Sequence, residues 1–139
     1  MAVHSEFIVL GPPISNQQST PQGKLNLTAW RATVAGEAQN NWVTGMLTGH
    51  LKATIINFHS GNKPSVDVDN MSKPILDVLQ NIVYGDDRQI RQAQITHLEI
   101  GAPFSIVGVS KMIVNALQAG TQFVYVRIED PMNPYPLPV

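Results

Sequence analysis

The sequence predicts an α+β fold in which one mixed β-sheet packs against two or three helices. Runs rich in β-branched and aromatic residues stand at 6–10, 52–59, 89–100 and 122–129. Helical segments separate these runs without the strict alternation that a parallel α/β sheet requires. A chain of 139 residues with 43% hydrophobic residues can bury a core in one domain. We therefore expect a single domain over 1–139, with a proline-rich tail at about 130–139.

The first half of the chain is predicted to form a strand, a loop, a helix and a second strand. The strand EFIVL ends at Gly11, and a polar segment at 14–26 is interpreted as a loop. Thr28 is a suitable N-cap for an amphipathic helix over 28–48. That helix follows from apolar residues at four-residue spacing, namely Trp30, Val34, Ala38, Trp42 and Met46.

The second half begins with an extended segment at 65–69 and a helix from about Asn70 to Val83. Pro74 would stand in the first turn of that helix, where its missing N–H has no cost, and Gly85 would close it. A long strand at 89–100 follows. Residues 105–119 fit a strand or a helix, with a helix favoured over their second half, and 122–129 is a strand.

Composition excludes several classes of protein. The chain has no cysteine, which excludes a disulfide framework, a thiolate nucleophile and a cysteine-based zinc site. It shows neither a signal-peptide pattern nor an apolar run of about 18 residues, so we expect a cytoplasmic protein with no membrane partner. The net charge is −1, but outside 67–87 eight basic residues face five acidic ones. That positive remainder permits nucleic-acid binding without indicating it.

Half of the ten acidic residues fall between positions 67 and 87. These are Asp67, Asp69, Asp77, Asp86 and Asp87, with Lys73 among them. Crowded carboxylates repel one another, and a bound cation is the usual compensation. Oxygen donors without cysteine favour Mg²⁺, Mn²⁺ or Ca²⁺ over zinc.

The spacing of these residues suggests how they could meet. On an extended segment Asp67 and Asp69 would share one face, and Lys73 would lie one turn into the following helix. Asp86 and Asp87 would have to return to the same place through the pairing of the next strand. Asp77 could orient Lys73 or form an ordinary surface pair with it.

Two other acidic motifs do not fit this segment. A calcium-binding helix-loop-helix pattern fails because Ser72 and Val78 stand where glycine and glutamate are required. A phosphatase-type Asp-x-Asp-x-Thr motif fails at Met71. A purely structural role remains open, with Asp67 and Asp69 capping a helix and the later pair forming an exposed turn. Asn70 could cap the helix or support a ligand, and the cap is favoured.

The whole string DVDNMSKPILDVLQNIVYGDDRQI resembles the signature of the RusA family of Holliday junction resolvases. That signature runs Asp-x-Asp-Asn-x-x-Lys, a helix with a further Asp, a turn, and Asp-Asp-x-Gln. The segment GPPISNQQ is similar to the opening of the family. The matching positions are Asp67, Asp69, Asn70, Lys73, Asp77, Asp86, Asp87 and Gln89.

The resemblance implies a Mg²⁺-dependent homodimer, with Mn²⁺ as an alternative ion, that nicks four-way DNA junctions symmetrically in recombination and repair. It implies catalytic roles for Asp67, Asp69, Lys73 and Asp87. The three aspartates would hold the metal, with Asp86 as an additional candidate ligand. It also implies a bacterial or phage origin and no nucleotide cofactor. A nuclease specific for flaps or forks, and a non-catalytic DNA-binding protein on the same scaffold, are the alternatives.

Basic residues outside the motif are candidate phosphate contacts, although a solvated charge is their ordinary role. These candidates are Lys24, Lys52, Lys63, Arg88 and Arg91. His50 and His59 could act as bases, but isolated histidines are usually structural.

Overall fold

One four-stranded mixed sheet forms the centre of the molecule, which confirms the predicted α+β class. The computed structural model describes residues 2–42, 44–61, 63–102, 108 and 110–139. The strands are β1 (Val3–Leu10), β2 (Leu51–His59), β3 (Ile90–Glu99) and β4 (Phe123–Glu129). Their order is β1-β4-β2-β3, in which only β2 and β3 run parallel. The described residues also form three α-helices.

Helix α1 spans Pro21–Asn40 and begins earlier than predicted. Thr20, not Thr28, is the N-cap, because its hydroxyl accepts a hydrogen bond from the Gly23 N–H at 3.0 Å and Pro21 follows at the first helical position. The predicted loop at 14–26 was therefore wrong over its last six residues. The predicted helix was also too long, since Asn41 ends it and the Met46 side chain is exposed.

Helix α2 spans Val68–Leu79, so the predicted extended segment at 65–69 was wrong at its last two residues, whereas Asp67 has an extended backbone. Asp67 caps this helix by accepting the Asn70 N–H at 2.9 Å. The expectation that Asn70 is the cap was therefore wrong as well. The helix ends at Gln80 and not at Gly85, because the next residue, Asn81, has a φ of 75° that an α-helix cannot contain.

Helix α3 spans Lys111–Ala119, which confirms a helix over the second half of 105–119. Ser110 caps its start, and Gly120 ends it with a φ of 76° that glycine adopts without strain. The expectation for 105–107 and 109 concerns residues outside the described part of the chain.

Each face of the sheet packs a different set of helices. Helices α1 and α2 cover the face that carries Ala53 and Ile55, which we call the helix face, and together they bury the main core. On the opposite face, α3 covers the half that includes Phe58 and Tyr125. The half of that face that α3 does not cover carries polar residues. Residues 130–139 form no helix or strand.

The domain limits of 1–139 remain a prediction. None of the helices within the described residues has the length and apolarity that crossing a membrane requires.

Candidate active site

A small cavity of about 300 Å³ lies between α2 and the start of β3. Three candidate charged residues line it, namely Lys73, Asp77 and Asp87. Ser72, Leu76, Tyr84 and Ile90 complete the lining. Helix α2 supplies the lysine from one side, and the turn before β3 supplies Asp87 from the other. The chain thus returns to α2 as the sequence predicted.

One face of α2 carries Asp69, Lys73 and Asp77 at four-residue intervals, so each lies one turn from the next. The Lys73 Nζ lies 3.3 Å from the Asp77 Oδ2, which confirms the predicted contact. The Lys73 side chain is 61% exposed and can therefore reach a bound phosphate. Asp69 lies in the first turn, at the end of this row nearest the helix N-terminus.

Asp77 also faces Arg31, a residue that the sequence reasoning did not select. The Arg31 Nη2 lies 3.9 Å from the Asp77 Oδ2 and donates to the Asn16 Oδ1 at 3.1 Å. The backbone N–H of Asn16 in turn donates to the Asn70 carbonyl at 2.9 Å. The loop GPPISNQQ is therefore attached to the start of α2, on the candidate site. No spacing pattern pointed to Arg31, because the contact joins segments distant in the chain.

Asp67 is engaged at the helix N-terminus. Its carboxylate accepts from the backbone N–H of Asn70 at 2.9 Å and from the Asn70 side chain at 3.3 Å. Negative charge is favourable at this end of the helix dipole. Asp67 therefore has the structural role that the sequence left open, namely that of a helix cap.

The turn that carries Asp87 is held in place by the side chain of Gln89. Its Oε1 accepts from the N–H groups of Gly85 (3.1 Å) and Asp86 (3.0 Å). Its Nε2 donates to the carbonyls of Leu47 (2.9 Å) and Gly49 (3.0 Å). All four hydrogen-bonding positions of the amide are used. Gln89 thus fixes the 3-10 turn Asp87–Gln89 to the segment before β2.

Tyr84 also lines the cavity, and its hydroxyl group is hydrogen-bonded to α2. The residue is fully buried, and its hydroxyl donates to the Leu76 carbonyl at 2.7 Å. Burial, and then the charge of Asp77, raise the pKa of Tyr84 well above its usual value, so the phenol stays protonated. Tyr84 therefore serves the site as a rigid wall.

Asp86 is paired with Arg88 and does not face an open site. Its Oδ2 lies 2.7 Å from the Arg88 Nη2, and its Oδ1 accepts the Arg88 backbone N–H at 2.8 Å. The hydrogen bonds from Arg88 lower the pKa of Asp86 to about 2. Both Asp86, the additional candidate ligand, and Arg88, a candidate DNA contact, are thus engaged with each other.

A partly buried polar pair joins β2 and β3 on the helix face. Asn57 is fully buried and its side chain contacts the His97 Nδ1 at 3.1 Å. Burial, with a smaller contribution from His59, lowers the pKa of His97, against opposite effects from the Val66 backbone and Asp67. His59 is itself buried, with its ring 6.1 Å from that of His97. The sequence left a role of His59 as a base open beside the more usual structural one, and the role as a base stays a prediction.

The remaining basic candidates are dispersed. Lys24 and Lys63 are exposed. Lys52 and Arg91 line a second cavity on the opposite face of the sheet, and the Arg91 Nη1 contacts the His50 ring at 3.1 Å.

The donors at this site fit a hard cation in their chemistry, since Asp67, Asp69 and Asp87 offer carboxylate oxygens and no sulfur. Their arrangement is not that of an assembled centre. Within the part of the chain that the structure describes, no three His, Cys, Asp or Glu side chains converge closely enough to hold one ion. The cap contact of Asp67 is one physical reason, because it directs that carboxylate to the helix N-terminus.

Carboxylates and a lysine around one cavity of an α+β domain are groups that suit an enzyme acting on phosphodiesters. A comparison with protein families identifies a particular family within this class. A family model described as Endodeoxyribonuclease RusA matches residues 15–110, which is more than half of the chain. The chain therefore belongs to the RusA endodeoxyribonuclease family. Among curated proteins, no match was found.

Proposed function

We propose that this protein is a Mg²⁺-dependent endonuclease that resolves four-way DNA junctions by paired, symmetric nicks. One observation carries the proposal: Lys73 and Asp87 of the family motif, which belong to a helix and to the turn before β3, line the same cavity. The family match supports nuclease activity on DNA. The positive remainder of the chain outside 67–87 is compatible with that substrate.

Lys73 would act on the phosphate. Its three N–H donors project from α2 beside the cavity, and Asp77 at 3.3 Å keeps the ammonium in place before DNA binds. Charge that accumulates on the phosphate oxygens is stabilised by such a preorganised cation. When Lys73 turns to the phosphate, Arg31 at 3.9 Å keeps a counterion beside Asp77.

Asp87 would supply a carboxylate oxygen from the wall of the cavity and Asp69 one from the first turn of α2, and Asp67 would join them by turning away from its cap. A bound Mg²⁺ or Mn²⁺ supplies a water of lowered pKa and polarises the phosphate. Asp86 is a weaker candidate, because Arg88 already occupies its carboxylate. The protein would act as a homodimer, since a twofold pair of sites matches the two strands of a symmetric junction.

The test is cleavage of a labelled four-way junction in Mg²⁺, beside a flap and a linear duplex of the same arm sequence. Paired symmetric nicks in the junction alone are expected. Preferential cutting of the flap would favour a nuclease with a different preferred structure. Binding without any cutting would contradict enzyme activity and favour a DNA-binding protein.

The variant Asp69→Asn should abolish cleavage while junction binding stays equal or tightens, because one negative charge facing the phosphates is removed. Glu37→Gln is the matched control: it removes one negative charge from α1, away from the residues that line the cavity. Cleavage by Asp69→Asn at nearly the wild-type rate would show that the ligand assignment is wrong.

A further inference from the structure

A second and larger cavity of about 670 Å³ opens at the edge of the sheet beside β3. Its floor lies on the face opposite α1 and α2, where Lys52 is in register with Gln92 and Thr54 with Gln94. The side chains of β3 here meet the C-terminal segment. The lining includes Lys52, Arg91, Gln92, Gln94, Met132 and Tyr135, and we call this cavity the tail cleft.

The strand pairing shows why Arg91 reaches the tail cleft. Leu51 is in register with Ile90, but Lys52 is in register with Gln92, so Arg91 is an extra residue at a bulge. A bulge changes the direction of its side chain relative to the regular alternation. Ile90 lines the candidate active site and Arg91 lines the tail cleft. Adjacent residues of β3 therefore line the two cavities, one on each side of the sheet.

The wall formed by the C-terminal segment is attached at its base. The Asp130 N–H donates to the Ala2 carbonyl at 2.9 Å, and the Asp130 carboxylate contacts the His4 ring at 2.7 Å. The Met132 N–H then donates to the Gln92 side chain at 3.0 Å. Beyond this point Tyr135 is 57% exposed. An exposed aromatic ring is thus presented beside a polar strand.

The charge of the tail cleft is positive. Lys52 and Arg91 line it, and no acidic residue is among the described residues of its lining. The contact of Arg91 is a histidine ring and not a carboxylate. Lys52 approaches Glu129 at 4.0 Å, but Glu129 also faces Arg127 at 3.7 Å. Arg127 also faces Glu6 at 3.7 Å, so Lys52 and Arg127 are balanced by two carboxylates, and the excess positive charge of the cleft comes from Arg91.

Two cations, two side-chain amides and an exposed tyrosine are groups that bind a nucleic-acid strand, through its phosphates and through stacking. We propose that the tail cleft is a second DNA-binding site. It takes the sugar-phosphate backbone of a junction arm where that arm leaves the active site, with Tyr135 against a base or sugar. This inference rests on the proposed function, because it extends the DNA path from Asp87 across the start of β3.

Binding of a fluorescein-labelled four-way junction, measured by anisotropy without divalent cations across a range of salt concentrations, tests the site. Arg91→Gln should lower the slope of log K against log salt by about 0.9 and weaken binding by about 5–10-fold at 0.1 M salt. Tyr135→Ala should weaken binding by at least about fivefold, and Tyr135→Phe should restore most of that loss. Lys111→Gln, an equal loss of charge at the start of α3, should leave the slope nearly unchanged.

Urea denaturation of each variant establishes that it is folded, and light scattering gives its oligomeric state. The proposal is overturned if Arg91→Gln and Tyr135→Ala bind as Lys111→Gln does. It is also overturned if they alter the molecular mass and not the affinity for DNA, since the cleft would then be an interface between copies. Failure of the two proposals can be distinguished. If the wild-type protein cuts junctions and Arg91→Gln binds DNA normally, only the proposal for the tail cleft is refuted. If the wild-type protein does not cut but its affinity for DNA still depends on Arg91, only the proposal of nuclease activity is refuted.

Discussion

Replacing Gln89 by alanine should destabilise the protein and displace Asp87 from the candidate site. The substitution removes four hydrogen bonds, to Gly85, Asp86, Leu47 and Gly49. Each is worth about 0.5–1.5 kcal/mol, and the two at the surface contribute at the lower end. We therefore expect a loss of about 2–3 kcal/mol in the free energy of unfolding and a fall in Tm of about 10 °C.

Gln89→Glu is a sharper test, because it keeps the shape of the side chain but replaces the hydrogen-bond donor Nε2 by an acceptor oxygen. The oxygen that replaces Nε2 would face the carbonyls of Leu47 and Gly49 with negative charge. The pKa of the new carboxyl should therefore rise above the ordinary Glu value of about 4.3. A raised pKa in the folded state means that stability is lost as pH rises through it. The deficit of Gln89→Glu relative to wild type should thus be larger at pH 7.5 than at pH 4.5.

The assay is urea denaturation of wild type, Gln89→Ala and Gln89→Glu at both pH values. Gln39→Glu, the same chemical change at an exposed position of α1, should stay within about 0.5 kcal/mol of wild type. If Gln89→Glu is as stable as wild type at pH 7.5, the amide does not make these contacts and the account of the turn is refuted.

Substitutions at two further positions separate structural from functional roles. Asp67→Ala should lower the free energy of unfolding by about 1 kcal/mol because the helix cap is lost, whereas Asp67→Ser should restore most of that stability because it retains a capping oxygen. Neither variant should cut junction DNA. Cleavage by Asp67→Ser would show that Asp67 is not a metal ligand. Arg31→Gln should lower the single-turnover cleavage rate severalfold, while the free energy of unfolding falls by only about 0.5–1 kcal/mol. An unchanged cleavage rate would show that Arg31 does not act through Asp77.

Much of the fold could be predicted because its elements have strong local patterns. Strand β2 was expected at 52–59 and spans Leu51–His59. The misplaced helix starts have one cause. Threonine and aspartate occur in extended segments and at N-caps alike, and only the backbone beyond them decides which role they take. The Thr20-Pro21 pair was a usable helix-start signal that the surrounding polar residues obscured.

The site was predictable only in part for a different reason. Lys73 and Asp77 are one helical turn apart, so their contact follows from spacing alone. The approach of Arg31 to Asp77, and the bonds from Gln89 to Leu47, join segments that are more than 40 residues apart in the chain. Such contacts depend on how the helices pack on the sheet, which no local pattern encodes.

The position of β4 has a consequence for how the chain must fold. This strand is formed late in the sequence, at Phe123–Glu129, yet it lies in the interior of the sheet between β1 and β2. Residues 15–110 contain every predicted catalytic side chain but neither β1 nor β4. A fragment of that extent would leave β2 with an open hydrogen-bonding edge and an exposed apolar face, and it should aggregate. During synthesis, therefore, the predicted catalytic residues all exist well before the sheet that positions them can close.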